Sequence, residues 1–121
     1  MRRKSEWRHG KLPDHSALLA GHTPPDEIGF ASDRIQTWYN KTTSGWSDPA
    51  PHYHEESDEI FIVLQGSLLL EVEGARLVLG AREFCCFPAG TTHAVIDVTP
   101  PVETLMIRAP SVNDKAFPPS E

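Results

Sequence analysis

Pro51-His52-Tyr53-His54-Glu55-Glu56-Ser57-Asp58-Glu59-Ile60-Phe61-Ile62-Val63-Leu64-Gln65-Gly66 is the stretch from which the rest of the chain is read. Run as a strand from its start, it puts His52 and His54 on one face, because strand side chains repeat every two residues. Two imidazoles then point at one place. Glu59 stands five residues beyond His54, an odd step that a straight strand sends to the opposite face. It returns only through a turn, and the polar run 55–58 is suited to be one, so that Glu59 opens the next strand facing the two histidines.

Outward from this stretch the chain is a series of short apolar runs separated by turn residues. Upstream, Arg34 to Asn40 mixes aromatic and β-branched residues with polar ones and reads as a strand. Ser44 to Pro51 carries glycine and prolines and reads as a loop leading into His52. Downstream, strands are expected at 60–64, 68–72, 76–79, 83–87, 93–98 and 103–108, with turns at Gln65-Gly66-Ser67, Glu73-Gly74 and Pro88-Ala89-Gly90. Turn signals about every 8–12 residues indicate a β sandwich or barrel. Residues 1–26 are broken by Gly10, Pro13, Gly21, Pro24 and Pro25 and read as an irregular or frayed arm. The expected organisation is an irregular N-terminal arm over 1–30, one all-β barrel over 31–112 and a loose C-terminal tail over 113–121.

The 121 residues are enough for one domain and a core that needs no staples. With 11 Lys and Arg against 17 Asp and Glu, the formal charge of −6 has the wrong sign for a broad phosphate-binding surface, which argues against nucleic acid as a partner. No apolar run suits a signal peptide or a membrane span. Cys85 and Cys86 are adjacent, so on a strand they face opposite ways and do not pair with each other. Free thiols and the lack of an export signal lead to a cytoplasmic expectation, and the sequon Asn40-Lys41-Thr42 is then accidental.

Two segments together carry a family resemblance. Gly45, His52, His54, Glu59 and Gly66 fall at the places of the first cupin motif, a glycine, His-x-His, three or four residues, a glutamate, six residues and a glycine. Pro88-Ala89-Gly90-Thr91-Thr92-His93 resembles the second motif, Pro-x-Gly-x-x-His, residue for residue. Arg82-Glu83 stands where that motif usually opens with Gly-Asp, and Asp97 where it often closes with asparagine. The resemblance implies a double-stranded β-helix (jelly-roll) barrel in which His52, His54, Glu59 and His93 converge on one metal near its mouth. It favours Glu59 over Asp58 as the carboxylate, since Glu59 alone has the six-residue gap to Gly66.

Three imidazoles and a carboxylate suit one divalent transition metal, Fe, Mn, Ni, Zn or Cu, and disfavour Ca and Mg. Gln36, Trp38, Tyr53, Met106 and Arg108 are candidates to line the barrel beside it, Arg108 to pair with a substrate carboxylate or phosphate. His9, His15 and His22 are expected in solvent, and neither cysteine has a neighbour that marks a nucleophile. The resemblance implies a metal-dependent enzyme acting on a small polar molecule, with an iron dioxygenase ahead of an isomerase, lyase or cyclase, and a non-catalytic ligand-binding module as the alternative. A homodimer is expected, since two-fold pairs are the commonest oligomers and runs such as Leu68-Leu69-Leu70 are apolar on both faces.

Overall fold

The computed structural model describes residues 7–23 and 29–119, so the ends of the expected arm and tail at 1–6 and 120–121, and the Pro24-Pro25 break, lie outside the described residues. Among the described residues there are nine strands and no helix: β1 (Ala17–Gly21), β2 (Phe30–Ala31), β3 (Gln36–Thr42), β4 (Asp48–His54), β5 (Asp58–Val72), β6 (Ala75–Gly80), β7 (Phe84–Phe87), β8 (His93–Ala109) and β9 (Lys115–Ala116). The fold is all-β, as expected, with the strands joined in one nine-stranded sheet. All pairings are antiparallel except that of β1 with β2.

Two long strands organise everything else. β8 pairs with β3, β4 and β5, and β5 pairs with β6, β7 and β8. Each of these long strands replaces two shorter ones expected from the sequence. The signal at Gln65-Gly66-Ser67 is not a chain reversal but a kink inside β5, where the register against β8 shifts. Gly66 has φ +77°, and a Cβ there would sit 2.5 Å from the Pro101 carbonyl oxygen and 2.6 Å from that of Thr99. Glycine is therefore required twice over, for its dihedral and for the close approach of β8. The kink also changes which residues face inward: Glu59, Phe61 and Val63 before it, Leu68 and Leu70 after it. A true reversal follows at Glu73-Gly74, both with φ > 0, the geometry of a two-residue hairpin turn matched to strand twist.

The core is formed by Phe61, Val63, Leu68, Leu70, Leu79, Phe87, Val95, Val98 and Val102, with Trp46, Val72, Cys85 and Met106 packed against it. Cys85 is half-buried and Cys86 exposed, on opposite faces as period two requires. Burial, and then the Cys86 neighbour, push the Cys85 thiol up, away from the reactive thiolate.

Two expectations are corrected at the chain's ends. The arm lacks strand at 7–16, but Ala17-Leu18-Leu19-Ala20-Gly21 forms β1, with Ala17, Leu18 and Ala20 buried against β3. This run is short and bounded by breakers, so its pairing with β3 supplies what its own sequence does not. The tail is not loose throughout. Asp114 is buried, and β9 adds to β4 through the pairs Tyr53↔Ala116 and His54↔Lys115.

Candidate metal centre

Strand pairing brings the two histidine segments together. His52 of β4 lies directly across from His93 of β8, and Glu59 of β5 across from Arg108 of the same β8. The β4 strand begins at Asp48, inside the segment expected to be loop, and its prolines are tolerated because its pairing with β8 is irregular between Asp48 and His52. The Pro88-Ala89-Gly90 turn is anchored to the same place: Gly90 N–H donates to the His54 carbonyl at 2.8 Å, and Ala89 N–H to Asp58 Oδ1 at 2.9 Å. Asp58 is exposed and holds this turn, whereas Glu59 is buried and faces the histidines.

One ring nitrogen from each of His52, His54 and His93 lies within 4.8 Å of the others, and all three residues are buried. Their Nδ1 atoms are turned outward to acceptors. His52 Nδ1 lies 3.0 Å from the Ala50 carbonyl, His93 Nδ1 2.9 Å from that of Thr91, and His54 Nδ1 2.9 Å from Asp114 Oδ1. A carbonyl or carboxylate accepts, so the proton belongs on Nδ1 and the Nε2 lone pair remains for another partner. Ring orientation is fixed by packing as well: Phe87 stacks on His93 at 4.3 Å and 8°, and Phe61 meets it edge-on. Burial holds the His52 pKa below its ordinary value, which favours the neutral ring a metal needs.

Glu59 Oε1 is 2.9 Å from His93 Nε2 and 3.6 Å from His54 Nε2. Yet both Glu59 Oε1 and His93 Nε2 are buried without a hydrogen-bond partner among the described residues. With the His93 proton on Nδ1, two lone pairs face each other across 2.9 Å, an arrangement that calls for a cation between or beside them. The donor chemistry of the site therefore fits a divalent transition metal.

His52, His54 and Glu59 line an open cavity of about 240 Å³. Gln36, Trp38, Met106 and Arg108 line it as expected, together with Trp46, Asp48, Phe61, Val95 and Lys115. Tyr53 does not, because it stands between His52 and His54 and the period of two turns it away. Arg108 Nη1 reaches Asp114 Oδ1 at 3.2 Å, and Lys115 Nζ reaches Asp48 Oδ2 at 3.1 Å. The Gln36 amide is satisfied when its nitrogen donates to Ser111 Oγ and its oxygen accepts from Trp38 Nε1 and Arg108 Nη2. His22 is exposed as expected but tied to Ser111, its Nδ1 lying 2.7 Å from Ser111 Oγ; His9 and His15 are exposed.

Asp114 is the residue that sequence reading missed. Its Oδ2 accepts from the backbone N–H of Glu56 at 2.9 Å and of Ser57 at 2.8 Å, and its Oδ1 faces His54 and Arg108. Burial opposes ionisation here, but the Glu56 N–H, His54 and Ser57 outweigh it and hold the carboxyl down at about 2. No local signal points to it: 60 residues separate it from His54.

The cupin domain family matches residues 42–108, more than half of the chain, and the chain belongs to that family. A curated relative, the uncharacterized protein YdbB of Bacillus subtilis (strain 168), is 44% identical over 43 residues. That match spans 35% of this chain and 38% of the relative's length. Among solved structures, KdgF from Halomonas sp. superposes with a TM-score of 0.62 at 22% identity, over 81% of this chain and 79% of that one. The DMSP lyase DddQ of Ruegeria pomeroyi DSS-3 gives 0.66 at 23%, over 97% of this chain and 64% of the lyase, so this chain spans under two-thirds of that protein. Streptomyces PAC13, solved with uridine and described as a nucleoside dehydratase, gives 0.63 at 14%, over 92% and 90%. At these identities the likenesses establish the fold. No helix among the described residues is long and apolar enough to cross a membrane.

Proposed function

We propose that this chain is a metal-dependent enzyme acting on a small polar molecule, with His52, His54, His93 and Glu59 as ligands of one divalent transition metal. The observation that carries the reading is the set of three buried imidazole nitrogens within 4.8 Å, beside an unpartnered Glu59 oxygen, with His52, His54 and Glu59 lining an open cavity. When bound, the metal would supply Lewis-acid chemistry, polarising a substrate oxygen. The rest is the work of the chain itself. Trp46, Phe61, Val95 and Met106 contribute apolar surface to the lining. Arg108 and Lys115 reach the same cavity, each ion-paired there, Arg108 with Asp114 and Lys115 with Asp48, and a substrate carboxylate or phosphate could share either cation. Its volume of about 240 Å³ lies below the roughly 300–1,000 Å³ of sites for drug-sized ligands, so the substrate is small.

Elimination or isomerisation is the reaction class we favour, supported by a lyase and a dehydratase among the structural relatives. An iron dioxygenase is the second reading, supported by a His₃Glu donor set that also suits iron. Elemental analysis of protein purified without added metal tests both. About one equivalent of Fe, Mn, Ni, Zn or Cu per chain is expected, and a metal-free protein that binds none of these on titration overturns the proposal. Iron with substrate-dependent oxygen uptake selects the dioxygenase, and turnover without oxygen selects elimination or isomerisation.

The assembly we propose is a homodimer, supported by the outer edge of β6, which is unpaired among the described residues, and the exposed Leu77, Val78 and Phe84. Sedimentation at tens of micromolar that gives monomer alone overturns it.

A further inference from the structure

His54 Nδ1 has two neighbours that make opposite demands. Asp114 Oδ1, at 2.9 Å, can only accept, which requires the proton on Nδ1. Arg108 Nη1, also at 2.9 Å, can only donate, which requires a lone pair there and moves the proton to Nε2. The two tautomers differ in what they offer the metal centre. With the proton on Nδ1, Nε2 presents a lone pair towards His93 and Glu59; with the proton on Nε2, that lone pair is lost.

We propose that Asp114 is a positioning residue that holds His54 in the Nδ1–H tautomer and so frees Nε2 to bind a divalent metal. The consequence for metal binding rests on the reading of the preceding subsection; the tautomer assignment does not.

The local geometry favours Asp114 over Arg108. Its carboxylate is pinned at Oδ2 by two backbone N–H groups, leaving Oδ1 aimed at the imidazole. It is buried, so the negative acceptor is little screened. The guanidinium has an alternative that the imidazole N–H lacks: Nη1 also lies 3.2 Å from Asp114 Oδ1 and satisfies its hydrogen there. Both donors are then served by one carboxylate oxygen, whose negative charge offsets the 2.9 Å approach of the two donor nitrogens. A carboxylate behind a metal-binding histidine also raises the basicity of the ligand nitrogen and fixes the ring plane. Asp114 reaches this place because the chain after β8 returns across the loop at 55–57 and then pairs as β9 with β4.

Asp114→Asn tests the assignment with little change of shape. Its amide oxygen must take the Glu56 and Ser57 N–H groups, because the reverse orientation sets an NH₂ against two donors. The NH₂ then points at His54 Nδ1 as a donor, alongside Arg108, and the ring proton moves to Nε2. Two measurements follow: the imidazole ¹⁵N shifts of His54 in the metal-free chain, which tell the tautomers apart, and Zn²⁺ affinity by titration. The native chain should show Nδ1–H at His54, and Asp114→Asn should show Nε2–H. Zn²⁺ affinity should fall about 10–100-fold, the usual effect of losing such an outer partner, with the far-ultraviolet spectrum of the fold retained. A native His54 already in the Nε2–H form overturns the proposal without any variant. So does a folded Asp114→Asn chain with unaltered tautomer and affinity. A tautomer that switches as expected in a chain that binds no Zn²⁺ supports the assignment of Asp114 and overturns the metal reading instead.

Discussion

The candidate centre has a strand-borne side and a tail-borne side, and they are built on different principles. His52, Glu59 and His93 sit on β4, β5 and β8, where cross-strand register places them: His52 against His93, Glu59 against Arg108. Their positions are set by ladders that also bury Phe61, Val63, Leu68 and Leu70. The tail-borne side is Asp114 and the two-residue strand β9, held by a few hydrogen bonds and the β4 edge. The strand side thus derives its geometry from the whole core, whereas the tail side adds a hydrogen-bonded clasp to a site already placed. The first side should therefore be costly to disturb in any measurement, and the second chiefly in metal affinity.

Removing one of the proposed ligands should have the largest effect. His93→Ala should abolish tight metal binding, exceeding the roughly 100-fold that outer-shell changes reach, as read by elemental analysis after identical purification. A fully loaded His93→Ala chain breaks the strand side of the comparison. Gly66→Ala probes the same side through folding. A Cβ there meets two carbonyl oxygens at 2.5 and 2.6 Å in a left-handed backbone. The conformation alone costs about 1–3 kcal/mol, so Tm should fall by roughly 5–10 °C in a thermal melt.

Deleting the chain from Asp114 onward tests the tail side. Zn²⁺ affinity should drop about 10–100-fold, while the far-ultraviolet spectrum of the β-fold persists. Loss of the fold on deletion would erase the distinction between the two sides. Alkaline pH reads the strands by themselves. Burial, and then the carboxylate of Glu103, push the buried Tyr39 hydroxyl up to about 12. A pKa raised from its ordinary value near 10 stabilises the fold fully below about pH 10, and that contribution is lost as pH rises through 10 to 12. The loss is on the order of 3 kcal/mol, and Tyr39→Phe should remove that pH dependence from urea denaturation while leaving metal binding intact. The smallest effect belongs to Asp58→Asn. Asp58 is exposed, and asparagine keeps an oxygen to accept the Ala89 N–H, so metal occupancy should be unchanged. An emptied site would reassign the carboxylate.

Much of the strand side was legible because it rests on local rules. The period of two puts His52 and His54 together, a polar turn returns Glu59, and Pro-x-Gly-x-x-His marks the segment that ends in His93. Other features were hidden for definite reasons. Ile60 to Leu64 and Leu68 to Leu70 are apolar at every position, so the sequence does not show which residues face inward. The kink at Gly66 then exchanges the inward set from odd to even positions within one strand. At Gln65-Gly66-Ser67 the signal for a turn and the signal for a bulge are alike, and the β8 carbonyls pressed against Gly66 decide between them.

By itself, then, the sequence determined an all-β chain and a set of histidines able to converge, since periodicity and turn chemistry act over a handful of neighbouring residues. Tertiary structure alone decided that Tyr53 faces away, that Lys115 joins Arg108 at the cavity, and that Asp114 stands behind His54 across 60 residues of chain. Such contacts are fixed by how strands stack and where the chain returns, and no short-range pattern encodes the partner of a single aspartate in a segment without periodicity.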